Sequence, residues 1–375
     1  MLEYITTETD FKEDIIDFIN YVFSQSRKPH DFKTLVPKSY ADDAKGLGAV
    51  HYIAKKDGKI KAVVATRIID VFVNGKILKY GLIGNVAVHP YSRGEGYMKT
   101  LLNIAIEDAK ERKIDILALA GQRQRYGYFG FENAGSNFSF ELSSANIRHC
   151  FGDIDCSDIT LKPMTDATEA EIDTALSLYE KKVFHCIRPR DEFRIIMRTW
   201  SSPCFIIYKN EKMIGYAFGP FHEVILENEM DFPAVLKAFF EKDNISEIGI
   251  TVPAYLSERA KFLSGICECC GVVTAEMTSV LNWKNTLDGF LSLKSTYTAL
   301  QDGITEFAID DEALRITVEN GVPYIEETTK SQNMISFTKS EAQQKFFDIP
   351  SLLFPDEHFK NWLPLPFVID APDSY

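Results

Sequence analysis

The sequence predicts a mixed α/β (α+β) chain of three units in tandem, and three observations carry that prediction. Over 84–102, alternating valines, a glycine turn and an amphipathic helix follow one another. Around that turn the first 145 residues read in the order β-α-α-β-β-β-α-β-α-β. The pattern then changes near 144 and again near 286, which gives units 1–145, 146–285 and 286–375. A chain of 375 residues is expected to hold two or three domains.

The first unit opens with a strand at Tyr4 to Thr6 and a helix from about Asp10. Phe11, Ile15, Ile16, Ile19, Val22 and Phe23 would form that helix's buried face. A looser segment covers 32–40. Strands at 51–55 and 59–72 join at Asp57-Gly58. Asn74-Gly75 makes a second hairpin, leading to strands at 77–80 and 84–88. Pro90 ends the ladder because it has no N–H to give. Met98, Leu101, Leu102, Ala105 and Ala109 stand at helical spacing on one face. Residues 114–119 are almost wholly apolar, as in a buried strand. Residues 122–128 form a short helix or turn, and Phe131 starts another strand.

Gly94 and Gly96 give the opening stretch its chemistry. Glycines at a helix start leave main-chain N–H groups free and unshielded, which suits an anion. The P-loop pattern fails because Met98, not Gly, precedes Lys99-Thr100. The dinucleotide pattern fails because Lys99 stands where its third glycine belongs.

The second unit repeats the plan weakly. Strand 160–161, helices at 168–182 and about 191–199, and a hairpin turning at Asn210-Glu211 come first. Helix 232–241 and strand 246–252 follow, with a surface linker expected at 150–158. Ile250-Thr251-Val252-Pro253 reads as the counterpart of the first unit's Val-x-His-Pro segment, without a glycine turn after it. An unrelated α/β domain is the other reading. The third unit alternates strands at 306–309, 313–318, 323–326 and 334–338, then a helix capped by Ser340. Trp362, Leu365 and Phe367 would cost too much left in water, so the tail is expected to pack and to deliver its terminal carboxylate to a fixed place.

A net charge of −13 argues against nucleic acid as partner and suits cationic molecules, or solubility alone. No run is long and apolar enough for a membrane span, so no membrane partner is expected. The start lacks a basic and an apolar signal region. Seven cysteines without framework spacing suggest a reducing, cytoplasmic setting. Cys267, Cys269 and Cys270 cluster, but no second pair stands at zinc spacing, so no metal is expected.

The turn Arg93-Gly94-Glu95-Gly96-Tyr97-Met98 resembles the pyrophosphate turn of the GNAT N-acetyltransferases, with Met98 where the family usually has Gly or Ala. With Tyr126-Gly127-Tyr128-Phe129-Gly130-Phe131 and the three-unit length, the whole chain resembles the enhanced-intracellular-survival (Eis-like) acetyltransferases. The resemblance implies two tandem GNAT-like domains, the second without cofactor, and a C-terminal domain similar to sterol carrier proteins. It implies acetyl-CoA as co-substrate and an amine acceptor: an aminoglycoside-like molecule, a polyamine or a lysine side chain. It also implies a possible homo-oligomer, a hexamer or trimer.

The resemblance assigns pantetheine to Val86, Ala87 and Val88, and pyrophosphate to Arg93, Gly94, Glu95, Gly96, Tyr97, Met98 and Lys99. Gly121 and Gln122 line the cofactor's other side. The Glu95 side chain should point outward into solvent. Tyr126 is the implied general acid, with Tyr128 as the alternative phenol. The implied base is the α-carboxylate of Tyr375, with Asp370 and Asp373 as alternatives, and His89 is expected to be structural. A second function, apolar-ligand binding by the third unit without catalysis, is the other class kept open.

Overall fold

The computed structural model describes residues 1–26, 28–45, 48–219, 221–242 and 245–375. Its largest sheet has the strand order β1-β2-β3-β4-β5-β15-β6, with β9 added at β3. The strands are β1 Leu2–Thr7, β2 Val50–Lys56, β3 Lys59–Val73, β4 Lys76–Val88, β5 Ile116–Leu119 and β6 Glu132–Ala134. β7 is Asn137–Ser143, β8 Ile159–Pro163, β9 Phe184–Cys186 and β15 Glu276–Val280. β4 and β5 run parallel and the remaining pairs are antiparallel. The expected strands 77–80 and 84–88 are one strand, β4, because the ladder with β3 continues through Gly81 to Ile83.

Helix Tyr97–Glu111 covers one face of this sheet with Tyr97, Leu101, Leu102, Ala105 and Ala109. Helix Lys12–Ser24 covers the other with Ile15, Ile16, Ile19 and Val22. Phe11 is not on that buried face. It takes φ 64 ahead of the helix and lies beneath the Lys55 ammonium, 4.7 Å from its ring centroid. The segment at 32–40 folds into two short helical turns, Phe32–Leu35 and Pro37–Tyr40.

The second unit follows the same order. β8 is followed by helix Glu169–Tyr179, then β10 Cys204–Lys209, β11 Lys212–Phe218 and β12 Glu223–Leu226. Helix Phe232–Lys242, β13 Glu247–Pro253, helix Ser257–Ser264 and β14 Cys269–Val273 complete it. The 191–199 helix is reduced to Phe193–Ile196, followed by a separate turn Thr199–Ser201 in which Trp200 and Ser201 take positive φ. The 150–158 stretch is not wholly linker. Helix Ser144–Phe151, capped by Ser143 and Asn146, buries Ile147 and Phe151 in the second unit's core.

This order corrects one expectation. β12, helix Phe232–Lys242 and β13 correspond to β4, helix Tyr97–Glu111 and β5. The counterpart of the Val86-to-Pro90 segment is therefore β12 and the turn after it, not Ile250–Pro253. That turn, 227–231, carries Glu227, Glu229 and Asp231 where the first unit has glycines. Asn228 caps it by accepting from Met230 N–H at 3.0 Å. Acidic side chains at this helix start disfavour a phosphate.

Two strands cross the 145/146 division in space. β7 pairs with β13 and β14 of the second unit. β15 leaves the second unit and inserts between β5 and β6 of the first. The third unit pairs β16 Gly303–Ile309, β17 Glu312–Glu319, β18 Val322–Glu327 and β19 Ile335–Phe337 in the order β18-β17-β16-β19. Helix Lys339–Phe347 is capped by Thr338 with Glu341, not by Ser340. Ser340 lies inside the helix and donates to Glu132 at 2.7 Å.

The C-terminal tail runs from the third unit into the first. Phe359, Trp362, Leu365 and Phe367 are fully buried among Phe290, Phe307, Phe346 and Phe347. Each contributes roughly 1.5–3 kcal/mol of burial. Leu353 and Phe354, ahead of it, remain 72% exposed. Among the described residues no helix is long and apolar enough to cross a membrane.

Candidate active site

The site begins where β4 leaves its neighbours. β3 pairs Val63 with Ala87 and Ala65 with Gly84, so Asn85 and Val86 oppose Val64 alone. This is a bulge, with Asn85 at φ 50. β4 pairs with β5 only from Tyr80 to Leu82, and beyond that the two strands part. His89 N–H donates to Lys61 O at 2.8 Å. Alternation then turns the main-chain groups of Val86 and Val88 away from β3 and into the gap, while Ala87 is bound to β3 and buried.

The glycine turn stands at the mouth of this gap. Gly94 and Gly96 take φ 87 and 82, and a Cβ on either would meet nothing within 4 Å. Helix Tyr97–Glu111 has no side-chain cap and no acid in its first turn. Among the described residues, the N–H groups of Gly94, Gly96, Tyr97, Met98 and Lys99 have no protein acceptor. Arg93 is exposed beside them. This donor set fits a diphosphate.

Glu95 departs from the expectation in part. Its N–H is already given to Ser92 O at 3.4 Å. Its carboxylate is not free in solvent: Lys56 binds it at 3.2 Å and Tyr97 OH donates to it at 3.0 Å, which draws it off the turn. These hydrogen bonds hold its pKa below the ordinary carboxylate value.

Across the gap, Gly121 lies against the ring of Tyr126. A Cβ there would stand 2.3 Å from Tyr126 Cε2. Gln122 O accepts from Arg125 N–H at 2.9 Å and Tyr126 N–H at 3.1 Å, forming the short turn Arg123–Tyr126. Tyr126 is buried, and burial raises its pKa against the opposing effect of Arg125. Tyr128 is 91% exposed. His89 stacks with Phe18 and Tyr21, and its Nδ1 accepts from Tyr91 N–H at 3.3 Å.

The tail ends on β4. A Cβ on Gly84 would stand 2.2 Å from Tyr375 Cδ1, so only glycine admits the ring. Tyr375 OH lies 2.6 Å from Tyr40 OH and 3.2 Å from Asn85 Nδ2. Lys38, 3% exposed, donates to Pro372 O at 2.7 Å and to Ser374 O. Burial, with Arg67 adding to it, pushes Lys38 well below the usual lysine pKa. Trp200 Nε1 donates to Ser374 Oγ at 3.0 Å.

The second unit fastens the rest of the tail. Arg188, fully buried, binds Glu223 at 2.8 Å and Asp373 at 2.7 Å. Asp370 is held by Lys182 at 3.1 Å and Tyr179 OH at 2.5 Å. Burial pushes the Asp373 carboxyl up, but Arg188 outweighs it and holds it low. Cys186, Asp370 and Asp373 lie close enough to share an ion, yet both carboxylates are already paired with cations. Cys269 and Cys270 are exposed on β14.

A cavity of about 1230 Å³ opens between the first two units, beside Lys38 and Trp200's neighbour Ser201. Its charged lining is Lys33, Lys38, Lys45, Arg194 and Arg198 against Asp42, Asp43, Asp191 and Glu192. The chain's negative charge is therefore not concentrated here.

Residues 3–134 match the family model of the acetyltransferase (GNAT) domain. No curated protein sequence matches the chain. Among solved structures, the chain is similar to a GCN5-related N-acetyltransferase from Anabaena variabilis ATCC 29413, at 14% identity and TM-score 0.67, covering 98% of both chains. It is similar to another from Kribbella flavida, at 12% identity and TM-score 0.62, covering 99% of this chain and 94% of that one. Eis1 from Mycobacterium abscessus follows at 12% identity and TM-score 0.60, covering 92% and 88%. At these identities the likeness is one of fold, and it extends over all three units. Residues 3–134 are an acetyltransferase (GNAT) domain, and this makes the chain an acyltransferase.

Proposed function

We propose that this chain is an Eis-like enzyme that moves the acetyl group of acetyl-CoA to a primary amine. The observation that carries the reading is the seat of Tyr375 on Gly84, one residue before the β4 bulge. This seat holds Tyr375 beside the donor gap, on the side open to an acceptor. In this reading the α-carboxylate of Tyr375 receives the acceptor's ammonium, while Asp370 and Asp373 are spent on Lys182 and Arg188.

Tyr126 is the acid in this reading. A phenol raised above its ordinary pKa keeps its proton at neutral pH and can pass it to the departing thiolate. Val86, Val88 and the turn Arg93–Lys99 hold the donor. The second unit has kept the fold without a phosphate turn. The third, sterol-carrier-like unit serves as the tail's anchor. Its interior is filled by Phe290, Phe307, Phe346, Phe359 and Trp362, which does not favour a lipid-binding role.

The acceptor would enter through the cavity between the first two units. The balanced lining there favours an amine that also carries neutral or acidic groups over a polycation. Thiol release from acetyl-CoA with a panel of lysine derivatives, polyamines and aminoglycosides tests the reading. Release with none of them, from protein that binds acetyl-CoA, would overturn it.

A further inference from the structure

β15 brings a carboxylate from the second unit to the donor end of the first unit's sheet. It pairs Met277 with Leu119, Thr278 with Ala118 and Val280 with Ile116. The next step of that register sets Glu276 opposite Ala120, beside Gly121. β5 ends and the donor gap opens at this point. Strands lie about 4.8 Å apart, so Glu276 is one strand from the end of β5, and Gly84 stands on the far side of the gap that opens there.

Alternation fixes the face from which Glu276 projects. Met277 packs with Leu117 and Leu119 beneath helix Tyr97–Glu111. Val280, Ala134, Ala118, Leu82 and Tyr80 pack on the opposite face. Glu276, opposite Ala134 and in step with Thr278 and Val280, belongs to that opposite face. The ring of Tyr375 lies on the same face, against Gly84, which is in step with Tyr80 and Leu82. Glu276 therefore shares a face with the delivered terminus, across the small residues Ala120 and Gly84.

Among the described residues Glu276 has no hydrogen-bond or ion-pair partner, although it is only partly exposed. The charged groups of the neighbouring elements are already engaged. Glu132 of β6 binds Arg123 at 2.7 Å, and Asp115 before β5 accepts from Lys79 N–H at 2.8 Å. On the tail, Asp370 is held by Lys182 and Tyr375 OH by Tyr40. Asp348, after helix Lys339–Phe347, accepts from Ile349 N–H at 2.8 Å. Burial alone lifts Glu276 to about 7, where a general base serves best at neutral pH.

We infer that Glu276 is a catalytic carboxylate of the first unit's site, the group that takes the proton of the acceptor ammonium. The inference rests on the amine-acetyltransferase reading and adds a base to it. The carboxylate takes one proton from R–NH3⁺ and leaves R–NH2. The amine nitrogen forms the C–N bond to the thioester carbonyl, and the C–S bond breaks. Tyr126 gives its proton to the thiolate, and the phenolate regains one from the product nitrogen. Glu276 then releases its proton to solvent, so that ammonium and acetyl-CoA become amide, thiol and one proton.

The test compares wild type, Glu276→Gln and Glu276→Asp in the full chain, with acetyl-CoA and the best amine of the panel. Glu276→Gln is expected to lower kcat/KM by about 10²–10⁴ and to erase the acidic limb near pH 7. Its thermal stabilisation by acetyl-CoA should equal wild type. Glu276→Asp should keep a titrating limb at reduced rate. A wild-type rate and limb in the Gln variant would overturn the assignment of Glu276 alone. No thiol release by wild type with any amine would overturn the parent reading, and this inference with it.

Discussion

The phenolic oxygens of Tyr375 and Tyr40 lie 2.6 Å apart, and the direction of that bond can be worked out. His51 Nδ1 faces Ala49 O at 3.0 Å and must carry the proton there. Its Nε2, 2.8 Å from Tyr40 OH, is then an acceptor. Tyr40 donates to His51, so Tyr375 donates to Tyr40, and Asn85 donates to Tyr40 from the bulge. Tyr375 thus donates into a buried series that runs through Tyr40 and His51 to Ala49 O. Tyr375→Phe removes that donor and one acceptor of Asn85 Nδ2, and is expected to cost about 1 kcal/mol. Turnover should fall more than acetyl-CoA affinity. Chemical denaturation and steady-state kinetics on the same variant would check both.

Gly84→Ala tests the same seat from below. The new Cβ would lie 2.2 Å from Tyr375 Cδ1 and 2.7 Å from Cε1, so the ring must leave. The glycine turn at Gly94 is ten residues away and its N–H groups are untouched. The variant is expected to keep the thermal shift given by acetyl-CoA and to lose most of its turnover. Wild-type turnover would show that the seated ring is dispensable.

Much of this site was legible because its chemistry is local. Gly94 and Gly96 mark the glycine turn before helix Tyr97–Glu111, and Asn74-Gly75 and Asn320-Gly321 mark hairpins, since each signal lies within a few residues. The short turn that carries Tyr126 was legible as a helix or turn over 122–128. What was not legible depends on pairing between distant segments. β15 reads as five unremarkable residues, Glu276 to Val280, and its register against β5 is set by the second unit's path. The expected counterpart at Ile250–Pro253 matched on composition. Element order places the true one at β12, where an acidic turn had hidden it. The bulge at Asn85 was missed because Val86 and Val88 still alternate across it.

Stability should respond to pH through His51. Burial lowers its pKa from 6.5 to about 4, against the bond to Ala49 O. Between those values the unfolded chain binds a proton that the folded chain refuses. Stability from this group is therefore complete above pH 6.5 and is lost as pH falls towards 4. The loss is about 3 kcal/mol. Below pH 4 both forms are protonated and the group adds nothing more. Urea unfolding across pH 4–7 should show the slope, and His51→Gln should flatten it. An equal slope in the variant would assign the loss to other groups.

Arg188 ties the tail to the second unit, and its removal leaves buried charge behind. The guanidinium is fully buried, binds Glu223 and Asp373, and stacks on Tyr179 at 3.7 Å from the ring centroid. Arg188→Ala would strand two buried carboxylates, which typically costs 3–5 kcal/mol. Asp373→Asn leaves Arg188 with Glu223 and should cost less. Arg188→Met with Glu223→Gln and Asp373→Asn removes all three charges and should recover part of the loss. If the pair only stabilises, turnover of the triple variant returns with stability. If it also aims the tail, turnover stays low in protein that is fully folded, and Tyr375→Phe then adds little further loss. Thermal melts and single-turnover acetyl transfer on the same three variants separate these outcomes.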